Sequence, residues 1–152
     1  MIKKLNALKN QKGMTLVELL AVMVIIGIIA AISIPAIGGL IENSRKDAAV
    51  STATSLVEAA RMYVAAEGVN DTEIILTATD SNTGIDLVKL GYLETTPKNP
   101  RTKLAYDVAE VVVTFEDNKA VYTVTLQTTA NGKYNINGKK LEELKREFVG
   151  IS

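Results

Sequence analysis

From Leu19 to Ile41 the chain runs for 23 residues without one charged side chain, and Glu18 is the single charge between Met14 and Ile41. As a helix rising about 1.5 Å per residue, the uncharged run is roughly 35 Å long, enough to cross the hydrocarbon core of a bilayer. Lys3, Lys4, Lys9 and Lys12 precede it with no acid among them. That asymmetry places the N-terminus in the cytoplasm and the C-terminus outside. A cleaved secretory signal fits the basic start, but the apolar run exceeds the usual core of about 7–15 residues, and Ala30-Ala31 is a weak cleavage site. A plain signal anchor accounts for length and orientation, but not for a carboxylate at 18 or a proline at 35.

Beyond the run lie roughly 100 residues, enough for one small domain. The whole chain carries 17 basic and 17 acidic residues, a formal net charge of zero. Cutting after Gly13 removes four lysines and leaves 13 basic against 17 acidic groups, a net charge of −4. A mildly acidic body is a poor general ligand for nucleic acid. There is no cysteine and no histidine. Disulfides, thiolate zinc sites and histidine-based catalysis are therefore excluded. A small exported domain without a disulfide needs another staple, here a long helix and neighbouring subunits.

Gly13-Met14-Thr15-Leu16-Val17-Glu18-Leu19 stands after a short lysine-bearing leader and before about 20 apolar residues that end near Pro35. This arrangement resembles the class III signal of type IV pilins and pseudopilins, over about the first 45 residues. The resemblance implies cleavage between Gly13 and Met14 by a prepilin peptidase. It also implies N-methylation of the new Met14 amine, at a position where the family most often has Phe. The implied partners are further copies of the chain in a helical filament, the prepilin peptidase, and a pilus assembly platform with its ATPase. The cytoplasmic membrane holds the precursor, and the extracellular filament is the final location. Adhesion, motility or DNA uptake would be properties of the whole fibre.

Glu18 has two readings. Thr15 and Glu18 have the spacing of a capping box, which satisfies orphan amides at a helix start and sets a carboxylate at the positive end of the helix dipole. The resemblance adds an assembly role, in which Glu18 of an incoming subunit meets the Met14 amine of one already in place. A paired buried carboxylate is tolerated where a lone one is expensive, so the pair would set axial register. Pro35 loses an N–H and clashes with the carbonyl of Ala31; Gly27, Gly38 and Gly39 weaken the helix further. A kinked membrane helix and a spring-like filament segment both fit, and a monomer is expected to show a continuous or gently bent helix.

From Glu42 to Glu67, Ala49, Thr52, Leu56, Ala60 and Tyr63 recur at helical spacing, and Gly68 supplies a stop. Residues 70–83 read as a polar loop with room for a short strand around Ile74-Ile75-Leu76, and 85–90 as a short helix ended by Gly91. Leu90-Gly91-Tyr92-Leu93 and Pro97-Lys98-Asn99-Pro100 mark a loop. Val- and Thr-rich stretches at 110–116 and 120–128 flank Asp117-Asn118-Lys119 as a hairpin, with a third strand at 133–136. Leu141, Leu144 and Phe148 are spaced for a short amphipathic helix with a Glu142–Arg146 pair. The expected fold is α+β, a pilin fold: a long N-terminal helix, oily then amphipathic, packed on a small antiparallel sheet, with a short C-terminal helix. Its divisions are a leader at 1–13, a membrane and filament-core helix at 14–41, a stem at 42–67 and a head at 68–152.

Other constellations are weaker. Asp80 to Asp86 places oxygens at alternating positions, but Gly84 and Gly91 fall where a calcium loop needs ligands. Asn70-Asp71-Thr72 is a glycosylation triplet. Lys98, Arg101 and Lys103 give only weak attraction for DNA. No catalytic fingerprint is present, so the chain is expected to be no enzyme and to need no cofactor or metal. The leading expectation is a structural pilin, most simply a major one. A pseudopilin of a type II secretion or competence system shares every feature of residues 1–45, and an anchored domain that never polymerises is the third reading.

Overall fold

The computed structural model describes residues 15–69, 73–79, 84–117, 119–129 and 133–150. It divides into two compact units, Met1–Leu40 and Ile41–Ser152. One helix, α1 (Leu16–Glu67), contributes to both.

In the first unit α1 runs through Pro35 without a break in its helical assignment. Proline has no N–H to give to the carbonyl of Ala31, so one rung of the ladder is missing there. From Leu16 to Leu40 the large apolar side chains are exposed: Leu16, Ile32 and Ile34 keep 81%, 70% and 70% of their accessible surface. An oily helix bare on all sides is one whose solvent is lipid or other helices.

The second unit is a sheet wrapped on the later part of α1. Five strands, β1 (Glu73–Thr77), β2 (Ile85–Asp86), β3 (Val108–Glu116), β4 (Lys119–Gln127) and β5 (Ile136–Lys140), lie in the order β2-β1-β3-β4-β5. All neighbours are antiparallel except β1 and β2. Ala49, Ala53, Leu56, Val57, Ala59 and Ala60 form the buried stripe of α1, following spacings of three and four along one face. Ala109, Val111 and Val113 alternate inward along β3, and Leu76, Val124, Leu126 and Ile136 complete the layer beneath the helix. Alanine at four of the six stripe positions leaves room for the sheet to approach the helix backbone. Gly68 ends α1 in the left-handed region (φ 64°), its amide donating to the carbonyl of Val64 at 3.1 Å. Tyr63 and Tyr92 meet edge to face, with centroids 5.6 Å apart.

The short strand allowed around Ile74-Ile75-Leu76 is there as β1, which pairs along its whole length with β3. Several local expectations change. The helix expected at 85–90 is instead β2 and a series of turns, because Ile85 and Asp86 pair with Leu76 and Thr77. The third strand begins at Ile136 rather than Lys133. The short C-terminal helix is realised as two separate 3-10 turns, Leu141–Glu143 and Arg146–Phe148. Leu144 and Lys145 between them are extended, and neither turn has a side-chain cap at its start. Arg146 pairs with Asp47 of α1 rather than with Glu142. Leu141 and Leu144 still pack against the core, which satisfies the apolar spacing without a helix. The triplet at 70–72, Asp80 to Thr83 and Asn118 lie outside the described residues.

Gly84 carries a sharp prediction. Its φ is +115°, and an added Cβ would lie 2.8 Å from the Ile75 carbonyl oxygen and 2.7 Å from Thr77 Cγ2. Gly84→Ala is expected to lower the unfolding free energy by about 2–4 kcal/mol, combining backbone strain with overpacking against β1. Urea unfolding monitored by circular dichroism measures it.

Acid should also weaken this unit. Asp47 is held below its ordinary 3.8 mainly by the hydrogen bonds from Arg146. Asp107 is held below 3.8 mainly by the backbone amide of Thr129, at 2.6 Å, and next by its hydroxyl. A carboxylate whose folded pKa is depressed contributes stability above its unfolded pKa and loses it as pH falls through the folded one. The expected result is a flat melting temperature above about pH 5 and a fall below about pH 4. Asp107→Asn should shallow that fall in thermal melts.

Candidate assembly site

The sequence gathers its candidate residues at the start of α1. Thr15 stands just before the helix, and Glu18 lies in its first turn. The Thr15 amide donates to Glu18 Oε2 at 2.8 Å, the Thr15 hydroxyl donates to the same oxygen at 3.0 Å, and the Glu18 amide donates to Thr15 Oγ1 at 3.3 Å. This is the reciprocal capping box that the spacing predicts. The next turn is closed by the Leu19 amide on the Thr15 carbonyl, at 3.1 Å.

The box uses only one carboxylate oxygen. Among the described residues, the bonds to the Glu18 side chain end on Oε2, and Glu18 is exposed. Capping therefore does not exhaust the group's capacity to accept. In water the remainder is solvated; in an apolar setting it needs a donor. Gly13 and Met14, the expected processing and methylation positions, lie outside the described residues. Pro35 is 17 residues beyond Glu18, about 25 Å along a helix, so the two form no common site. From Leu16 the helix passes as long and apolar enough to cross a membrane, with a mean hydropathy of 2.8 in its most apolar window.

A second group of polar contacts is not legible in the sequence. The Tyr134 hydroxyl donates to Glu42 Oε2 at 2.7 Å, and the Tyr106 hydroxyl donates to the Tyr134 carbonyl at 3.1 Å. Tyr134 holds a left-handed backbone (φ 66°) and a buried ring to do this. Asp47 receives both Nε and Nη2 of Arg146, the former at 2.6 Å. These contacts fasten α1 just past its apolar run to chain some 90–100 residues away, and no local pattern announces them. Asn99, bracketed by Pro97 and Pro100, looks in sequence like an ordinary loop residue. It is buried and organises that loop: its Oδ1 accepts from the Arg101 amide at 2.9 Å, and its Nδ2 donates to the Lys133 carbonyl at 3.1 Å.

The family described as the prokaryotic N-terminal methylation motif matches residues 8–34. That interval contains Gly13, Met14, Glu18 and most of the uncharged run. Two curated relatives, each called fimbrial protein and each from Pseudomonas aeruginosa, are 37% identical to the chain over 89 residues. Those 89 residues are 59% of this chain and 53% of each relative, so the chain spans about half the length of the curated relatives it matches. No solved structure matches the chain significantly. The N-terminus carries this methylation motif, and over 89 residues the chain is similar to fimbrial proteins. The long apolar helix with a five-stranded, mostly antiparallel sheet is the α+β layout of the pilin fold.

Proposed function

We propose that the chain is a structural subunit, a major pilin, of a type IV pilus. On this reading prepilin peptidase cuts between Gly13 and Met14, and the Met14 amine is methylated. The subunit waits in the cytoplasmic membrane with its N-terminus inside. A platform and an ATPase then lift it into a growing extracellular fibre, where residues 14–41 form the core and the head faces outward. The single supporting observation with most weight is the exposed apolar helix that starts at a carboxylate whose capping bonds use one oxygen. Lipid and sister helices are the two surroundings that can cover such a surface, and a filament supplies them in succession.

Glu18 and Pro35 have separate roles in this reading. The spare oxygen of Glu18 takes the Met14 amine of a neighbour and fixes the axial stagger. Pro35 leaves a weak rung, so the helix can adjust its path when lipid is exchanged for protein neighbours. The relatives called fimbrial protein support this reading over a non-polymerising anchor.

The test is to shear the surface of cells that express the chain at its natural level and image the sheared material by electron microscopy with an antibody to the head. Long filaments decorated along their length are expected. A chain found only in the membrane fraction, with no decorated fibres, would contradict the reading and favour a pseudopilin or a plain anchored domain.

A further inference from the structure

The head unit is electrically bipolar along its stem. At the end near Glu42 lie Arg45, Lys46, Lys133, Arg101 and Lys103. Arg45 sits beside the Tyr134 hydroxyl, and Lys133, Lys46 and Arg45 are close enough to act on the Glu42 carboxylate. The buried Asn99 joins the loop to this end by holding the Arg101 amide and the Lys133 carbonyl together. It also receives the Lys103 amide on its own carbonyl, at 2.9 Å. At the other end lie Glu67, Glu73, Glu116 and Asp117, all exposed. Glu73 opens β1 opposite Thr114, and Glu116 closes β3, so these acids share the end at which α1 stops. Counting Glu42 and Asp107 with the basic set and Lys119 with the acidic one leaves +3 and −3. None of these five cations or four acids is in an ion pair among the described residues.

The two ends are far apart. Glu42 and Glu67 are 25 residues apart on α1, about 37 Å. The nine residues of β3 cover about 30 Å between the same ends. Opposite charges so separated within one rigid unit cannot neutralise each other across a Debye length of about 8 Å. They can do so between copies. We infer that heads contact one another head to tail, the basic end of one copy against the acidic end of the next. Such a contact is heterologous and repeats without closing, which is the geometry of an open helical filament. The inference rests on the filament reading above and gives it a second register element, carried by the heads and independent of Glu18.

The experiment uses the full chain in cells that assemble it, with three variants. One reverses the basic end (Arg101→Glu, Lys103→Glu, Lys133→Glu). One reverses the acidic end (Glu73→Lys, Glu116→Lys, Asp117→Lys). The third carries all six changes. The expected result is at least about tenfold less sheared filament from each one-end variant, since like charges meet at every contact, and recovery in the six-fold variant. Subunit levels in the membrane fraction show that each variant folds. One-end variants that assemble like the parent overturn the inference. So does a stable six-fold variant that fails to recover; that outcome assigns the basic end to another anionic partner, such as membrane headgroups. If a variant does not accumulate, the salt response of parent filaments decides the matter. Raising salt from about 0.05 to about 0.5 M should speed hydrogen exchange at the 101–103 and 116–117 segments, because screening loosens the contact. Unchanged exchange overturns the inference. A parent chain that makes no filaments instead sinks the pilin reading itself, and the two failures are distinguishable.

Discussion

Glu18→Ala subunits are expected to be cut and inserted normally and to yield no filaments. The capping box would lose its carboxylate, a loss of about 0.5–2 kcal/mol to the helix start, too little to unfold an apolar helix held by lipid. The larger loss falls between copies. Removing one partner of a buried charge pair typically costs about 3–5 kcal/mol, because the other charge is stranded. At about 1.4 kcal/mol for each factor of ten, subunit addition would weaken more than about a hundredfold. Glu18→Gln separates the two roles. Glutamine can still cap, since the box accepts Glu or Gln at this position, but it carries no charge for a neighbour's amine. Filaments lost in both variants, by electron microscopy and by yield in the sheared fraction, would assign the effect to the charge. Normal filaments from Glu18→Gln would reduce Glu18 to a cap.

Leu56→Ala should be the most damaging single truncation in the head. Leu56 is fully buried in the stripe between Ala53 and Ala60, beneath the sheet. Its neighbours on the helix are already small, so nothing adjacent on α1 can swing in to fill the space. The expected loss is about 2–5 kcal/mol of unfolding free energy, with Leu56→Met costing less than about 1.5 kcal/mol because it conserves volume. Urea unfolding of the detergent-solubilised subunit, monitored by tyrosine fluorescence, reports the head. A difference below about 1 kcal/mol between Leu56→Ala and the parent would mean that the stem and sheet are not one core.

How far the sequence can be read depends on the range of each interaction. The oily run, the capping box, the stop at Gly68 and the hairpin strands all arise from contacts within a few residues, and their patterns are visible in order along the chain. The residues that join distant parts are not. Glu42 and Tyr134, or Asp47 and Arg146, lie some 90–100 positions apart, and nothing beside them marks the pairing. Asn99 looks like any polar loop residue until its burial is seen. The C-terminal spacing of Leu141, Leu144 and Phe148 misleads for a different reason. Apolar residues three and four apart specify which side chains face the core, but two extended residues between short turns satisfy the same demand. Arg146 gains a bidentate partner in Asp47 that a helix pairing with Glu142 would forgo. Ile85-Asp86 forms a strand because β1 offers an open edge, a tertiary fact with no local signature.

Filament register through Glu18 requires that a positive amine be created at Met14, within one turn of that carboxylate. Mass spectrometry of the N-terminal peptide from sheared surface material reads this directly. The expected peptide starts at Met14 and is heavier by one methyl group. A surface-exposed chain whose N-terminal peptide still contains Lys12-Gly13 has a peptide bond, not an amine, at Met14, and would contradict the assembly role.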